Sequence, residues 1–315
     1  LDIQKMYTRI DGLSFDAEGN LWMINNQVDS LIRVLKKDGT WKSFYIESVK
    51  QAPTCMRTII DSKGRLWMGS RRTVGNHDGG LLCLDCNGTI DNTKDDVAHY
   101  RSSFTNQDGT TYSLQGVYDM AEDKDGSIWV ATLNGVFVID TPDDWAKSGF
   151  TVTQPKIPRN DGTNYADYLL GEAQVSAVAV DGAGQKWLGT VGSGVYVTTP
   201  DGSEILHHFT AENSPLLSDQ IHSISPNLST GEVMIGTEAG LCSYQSKTSL
   251  PAESLDKDNI KVYPNPVRPD YHGDITITGL PENADVKIVN TSGRTLYGGT
   301  SAGGTFTWDC RATDG

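Results

Sequence analysis

The sequence has little of what would point to a membrane, a nucleic-acid partner or a disulfide-stapled scaffold. No apolar run approaches the roughly 18 residues that a membrane-crossing helix needs. Positive charge is scarce: 26 Lys and Arg stand against 40 Asp and Glu, a formal balance of −14 with His neutral. Phosphate backbones and anionic lipid surfaces are repelled by that balance, so nucleic acid is disfavoured as a partner. Cysteines number five, an odd and sparse set that builds no disulfide framework. Cys83 and Cys86 form a C-x-x-C, yet "GLLCLDCNG" reads as a strand entering an Asn87-Gly88 turn. It has no second ligand pair for zinc and no helix start for redox chemistry, so these are expected to be strand cysteines. Helical periodicity is nearly missing; only residues 142–149, "PDDWAKSG", suit a turn of helix. No nucleophile elbow, phosphate loop, zinc-helix motif or paired-carboxylate signature occurs. Catalytic residues, metal ligands and cofactors are therefore not expected.

What is abundant is glycine (33), together with 7 Trp and 12 Tyr. Glycine and aromatics among many short apolar runs indicate an all-β protein. One phrase recurs: "FDAEGNLWMIN" (15–25), "IDSKGRLWMGS" (60–70), "EDKDGSIWVAT" (122–132), "VDGAGQKWLGT" (180–190) and, more weakly, "NLSTGEVMIGT" (227–237). Its anchors Trp22, Trp67, Trp129, Trp187 and Met234 lie 45, 62, 58 and 47 residues apart. A period near 40–50 with strand-like content is that of propeller blades. Each copy reads as an alternating strand, an Asp/Gly turn, a Trp strand, a Gly-led turn and two more strands. One blade cannot bury both faces of its sheet, so the Trp is expected to fill the space between adjacent sheets.

Two acids in "EDKDGSIW", Asp123 and Asp125, invite a calcium reading. Such a loop needs six to eight oxygens at ordered spacing, and the other copies repeat the glycine but not the Asp-x-Asp pair. A structural turn, with Asp bonded to local backbone and Gly at positive φ, is the reading adopted. The longer units carry insertions at 71–79, 87–96 and 154–170, where function is expected to reside. Arg71, Arg72, Asn76 and His77 in the first insertion offer bidentate donors and a proton-shuttling ring. Tyr165 and Tyr168 in the third offer faces for sugar rings, or pack the loop down. His207 and His208 are adjacent on a strand and point to opposite faces, which argues against a metal pair.

With Trp22, Trp67, Trp129 and Trp187, Gly19, Gly64, Gly126 and Gly184, and Thr132, Thr190 and Thr237 in register, the repeat resembles the two-component-regulator propeller repeat. Asn25 and Ser70 depart from its Thr. That repeat builds sensor ectodomains and secreted proteins of Bacteroidetes-type bacteria. Beyond a Ser- and Pro-rich stretch, "VYPNPV" (262–267) and "VKIVNTSGR" (286–294) resemble the C-terminal sorting domain of type IX secretion cargo. Residues 274–278, 285–290 and 294–297 alternate as strands, consistent with a small Ig-like sandwich. The expected organisation is propeller blades over 1–245 (four full and one partial), a linker over 246–260 and a truncated Ig-like domain over 261–315. Propeller plus tail resembles the PorZ-like components of the type IX machinery, which implies that the chain is the C-terminal piece of a longer one. The resemblance further implies a non-enzymatic, extracytoplasmic binding or scaffold protein at the cell surface, outer membrane or periplasm. Its partner would be a glycan, a lipopolysaccharide or a secretion-machinery protein, met by propeller-face loops. A periplasmic sensor of a hybrid two-component system and a propeller lyase or glycosidase are the alternatives, and the YPNP tail favours the first reading.

Overall fold

Twenty-eight strands and two single 3-10 turns, Glu47–Val49 and Pro142–Asp144, make up the regular structure of the computed structural model. It describes residues 9–50, 54–71, 79–114 and 116–313. The first blade is a four-stranded antiparallel meander of β1 (Arg9–Phe15), β2 (Leu21–Asn26), β3 (Ile32–Leu35) and β4 (Trp41–Phe44). The second repeats it with β5 (Cys55–Ile60), β6 (Leu66–Ser70), β7 (Gly80–Asp85) and β8 (Val97–Arg101). A hairpin of β9 (Ser103–Asn106) and β10 (Thr111–Ser113) precedes the third blade, β11 (Val117–Glu122), β12 (Ile128–Thr132) and β13 (Gly135–Ile139). Thr153 bridges to Val138 just after β14 (Thr151–Val152), and β14 runs parallel to β9, so the hairpin extends this blade outward.

A second hairpin, β15 (Lys156–Pro158) with β16 (Ala166–Tyr168), leads to the four-stranded fourth blade. That blade is β17 (Val175–Val180), β18 (Lys186–Thr190), β19 (Val195–Thr198) and β20 (Ile205–Phe209). The fifth has three strands, β21 (Ile221–Pro226), β22 (Glu232–Thr237) and β23 (Gly240–Gln245). The all-β propeller architecture expected from the repeat is thus observed. Innermost strands pack in chain order, β1 on β5, β5 on β11, β11 on β17 and β17 on β21. No comparable contact joins β21 to β1 among the described residues, so the blades form an open array.

Each Trp faces the following blade. Trp22 packs with Cys55, Leu66 and Leu84 of the second, and Trp67 with Val117, Val130 and Trp145 of the third. Trp129 meets Val175, Val178 and Leu188 of the fourth, while Trp187 meets Ile221, Val233 and Ile235 of the fifth. All four rings are buried. Met234, in the fifth Trp place, is only half-buried and lies on the last blade, where no following sheet packs among the described residues.

The repeated acid has two jobs. Asp61 Oδ1 accepts the backbone N–H groups of Lys63 (3.0 Å) and Arg65 (2.9 Å), closing the turn. Its Oδ2 accepts the Trp67 indole N–H (2.8 Å) and the Arg65 guanidinium (2.7 Å). Asp16 holds Trp22 (2.8 Å) and Asp181 holds Trp187 (3.1 Å) in the same way, six residues on. The third copy differs. Asp123 turns instead to Lys186 of the fourth blade, 2.7 Å away, in the apolar place just before Trp187. Lys186 is fully buried, donates to the carbonyls of Gly184 and Pro200, and lies 4.8 Å over the Trp129 ring. The Thr of the repeat closes the next turn: Thr132, Thr190 and Thr237 hydroxyls donate to the carbonyls of Gly135, Gly194 and Gly240.

After β23 the chain does not run free where composition suggests a linker. Ser246, Thr248 and Ser249 are buried. The Thr248 hydroxyl donates to Asp181 (2.8 Å), and the Leu250 N–H donates to the Leu228 carbonyl (2.7 Å). A Cβ on Gly182 would stand 2.0 Å from the Ser249 carbonyl carbon, so the strap lies directly on the fourth blade's Asp/Gly turn. The other side of the strap belongs to the tail: Gly304 N–H donates to the Ser249 carbonyl, and Ser249 and Thr305 hydroxyls lie 2.7 Å apart. The tail itself is two small sheets. β24 (Lys261–Tyr263) and β25 (Ile275–Thr278) share one sheet with the last strand, and β26 (Asp285–Val289) pairs with β27 (Thr295–Thr300). β28 (Thr305–Trp308) completes the first sheet beside β25, and Ile277, Leu280 and Phe306 fill the space between the two.

Candidate functional site

Each inner strand starts at the end of its blade where the second strand stops, as the pairing of Cys55 with Ser70 shows. The 71–79 insertion leaves from that end, and so does the 154–170 insertion that precedes β17. Arg71 and the stretch that enters β17 therefore lie at one end of the array. Every inner strand also breaks register near its start, between Asp11 and Ser14, Cys55 and Arg57, Val117 and Asp119, Val175 and Ala177, and Ile221 and Ser223. Such bulges re-aim side chains at the rim of a sheet. One of them carries Tyr118, whose ring the Arg71 guanidinium covers at 4.3 Å. The other candidates of this loop, Arg72, Asn76 and His77, lie outside the described residues.

In the 154–170 insertion the two tyrosines have different environments. Tyr168 is engaged: its hydroxyl donates to Asp108 (2.6 Å) and accepts from Asn106 (3.0 Å), and Lys156 lies 5.3 Å over its ring. It pins the β15–β16 hairpin to the β9–β10 turn. Tyr165 is 68% exposed, with Arg159 5.8 Å over its ring and itself paired to Asp167 at 2.6 Å. Of the two, Tyr165 offers a free ring face. His207 stacks on Phe209 and His208 on Tyr196, on opposite faces of β20, which leaves no pair to share an ion. Among the described residues no three His, Cys, Asp or Glu side chains converge as a metal site would.

Cys83 faces the third blade and Cys86 the first, so the C-x-x-C is split between two cores. Burial pushes the Cys83 thiol up, and it pushes Cys86 up to about 12. Neither supplies the thiolate that redox chemistry needs.

One half-buried acid lies between inner strands. Asp119 accepts the N–H groups of Met120 (3.0 Å) and of Val178 in the next blade (3.1 Å), with Arg57 at 3.5 Å. Burial lifts its carboxyl above the usual range, against the pull of Arg57 and the two amides. An acid raised in this way stabilises the fold below its unfolded pKa of about 3.9, and that contribution is lost as pH rises through the folded value. Asp119→Asn removes the ionisation and keeps one acceptor oxygen. Its melting temperature relative to wild type is expected to rise between about pH 3 and about pH 8; a constant or falling difference would contradict the assignment.

A family model of the two-component regulator propeller matches residues 111–134. PorZ of Porphyromonas gingivalis, a surface component of the type IX secretion system, is 33% identical over 97% of this chain, with a TM-score of 0.73. The chain is a propeller protein similar to PorZ. It spans 41% of the PorZ chain. The PorZ-like chain also shares its fold with the extracellular domains of two B. thetaiotaomicron regulators. BT3049, a hybrid two-component system, is 20% identical over 97% of this chain and 39% of that one, with a TM-score of 0.52. BT4673 is 12% identical over 94% of this chain and 33% of that one, with a TM-score of 0.54. No curated protein matches the chain.

Sequence reasoning did not find Lys186, because nothing local marks a lysine in an apolar position as the partner of an acid about 60 residues upstream. It also did not find the polar face that the tail turns toward the fifth blade. The signal there was available as strict alternation, "ITIT" over 275–278 and "TFTW" over 305–308.

Proposed function

We propose that this chain is a non-enzymatic, extracytoplasmic binding or scaffold module associated with type IX-type secretion at the cell surface. The observation that carries the reading is the 33% identity to PorZ across 97% of the chain, tail included. The proposed division is blades to residue 245, a connecting strap over 246–260 and a sorting-type tail over 261–315. The ligand is a glycan such as lipopolysaccharide, or a protein of the secretion machinery, met by the face that carries the long insertions. Arg71, backed by Tyr118, and the exposed ring of Tyr165 are the contact residues assigned within the described segments; Arg72, Asn76 and His77 follow on the same loop. An arginine held over a ring is oriented in advance and loses little freedom on gripping an anionic group.

The test is calorimetric titration of the full chain with purified P. gingivalis lipopolysaccharide. The double variant Arg71→Ala, Tyr165→Ala is expected to bind at least tenfold more weakly, about 1.4 kcal/mol. Equal binding by the variant, or none by wild type, would contradict the reading; release of sugar fragments during the titration would favour an enzyme instead.

A further inference from the structure

The tail sheet presents two faces of opposite character. Val262, Ile277, Phe306 and Trp308 alternate with a second set that points away from the sandwich core. That second set forms two rows across the strands, Tyr263–Thr276–Thr307 and Lys261–Thr278–Thr305. Neighbours within a row are about 4.8 Å apart and the rows about 6.8 Å apart. This face does not look into open solvent. It forms one wall of a cleft of about 590 Å³, whose other wall is the turn and outer strand of the fifth blade, including Thr230, Gln245 and Lys247. The cleft lies at the end of the blades that holds the Asp/Gly turns, opposite the end from which β17 starts.

Thr305 is spent on the Ser249 hydroxyl. The hydroxyls of Thr276, Thr278, Thr307 and Tyr263 and the ammonium of Lys261 have no hydrogen-bond or ion-pair partner among the described residues. Five unspent polar groups therefore share one rigid sheet face, inside a cleft at a junction of two packed units, a common location for small-molecule sites of roughly 300–1,000 Å³. Across the cleft Lys247 is paired with Asp274, and the Tyr271 hydroxyl donates to the Asp274 carbonyl (2.8 Å), fixing that rim.

We infer that this cleft binds a short oligosaccharide, with the Thr276, Thr278 and Thr307 hydroxyls on its sugar hydroxyls and the Tyr263 ring against a pyranose face. Hydroxyls that both donate and accept match those of a sugar, which do the same. A tyrosine supplies an apolar plane with a polar edge. The cleft is lined by no arginine, and its one unpaired cation is Lys261, so it lacks the convergent donors of a phosphate site. Lys261 leaves room for a carboxylate-bearing sugar as well as a neutral one. The inference does not depend on the face-loop reading.

Titration of the full chain with maltohexaose, chitohexaose and a galacturonate hexamer, read by calorimetry and by threonine methyl NMR, tests it. At least one hexamer is expected to saturate the protein and to shift the Thr276, Thr278 and Thr307 methyls. Preference for the galacturonate or for a neutral hexamer distinguishes a Lys261 carboxylate contact from hydroxyl recognition alone. The triple variant Thr276→Val, Thr278→Val, Thr307→Val keeps shape and strand preference and loses the hydroxyls. It is expected to bind at least tenfold more weakly at an unchanged melting temperature, and Tyr263→Ala to weaken binding likewise. Arg71→Ala with Tyr165→Ala is expected to leave this binding unaltered, which separates the cleft from the propeller face. No saturable binding of any hexamer, or equal binding by the valine variant, overturns the inference.

Discussion

Asp61→Ala is expected to lower stability by about 3–5 kcal/mol, the usual loss when one partner of a buried ion pair is removed. The Asp61 side chain is wholly enclosed, and its Arg65 partner is 8% exposed. Removing the carboxylate leaves the Arg65 Nε–H, the Trp67 indole N–H and the turn amides of Lys63 and Arg65 without their acceptor. The second link from Arg65, to Asp143 at 2.7 Å, reaches an acid that is 60% exposed and cannot replace it. Urea unfolding followed by tryptophan fluorescence measures the effect. The same change at Asp16 is expected to cost about half as much or less, because its acceptors serve neutral N–H donors only. A loss below about 1 kcal/mol at Asp61 would mean that the turn glycine alone holds this part of the blade.

Lys186→Ala is expected to cost a similar amount, about 3–5 kcal/mol, and through a different contact. Here the ion pair joins two blades: the ammonium sits in the fourth, the Asp123 carboxylate in the third, and the Trp129 ring lies beneath the charge. Burial pulls the lysine pKa down, and Asp123, Asp125 and Asp181 offset part of that pull. Replacing both groups, Lys186→Met with Asp123→Ala, removes the charges together and is expected to recover most of the loss. A double-mutant cycle on wild type, Lys186→Met, Asp123→Ala and the double variant isolates the coupling, expected to be favourable by about 3 kcal/mol or more. Additive single losses would show that the two blades are held by the Trp129 packing and not by the pair.

These two residues also show what the sequence makes legible. The period, the Trp anchors and the Asp/Gly turns are local patterns, and local patterns are what repeat reading detects. The indole bond of Asp61, Asp16 and Asp181 is nearly as local, six residues along the chain, and follows once the turn brings the acid beside the following strand. Lys186 is the opposite case. Its role depends on which blade is packed against it, so its sequence neighbours Gln185 and Trp187 say nothing about it. The strap at 246–250 is hidden for the same reason: serine and threonine suit a solvated linker until Gly182 and Gly304 bring backbone close enough to satisfy them. At the candidate face, chain order placed Arg71 and Tyr165 at one end of the array, but only packing separates Tyr165, which is exposed, from Tyr168, which is occupied by Asp108 and Asn106.

The acids of the repeated phrase are occupied by structure, and the proposed recognition lies in the segments that do not repeat. Hydrogen-exchange mass spectrometry of the full chain, with and without P. gingivalis lipopolysaccharide, addresses it directly. Added protection is expected in peptides that cover 154–170, with no change in the turns at 16–20, 61–65, 123–127 and 181–185. Protection confined to those turns would contradict it.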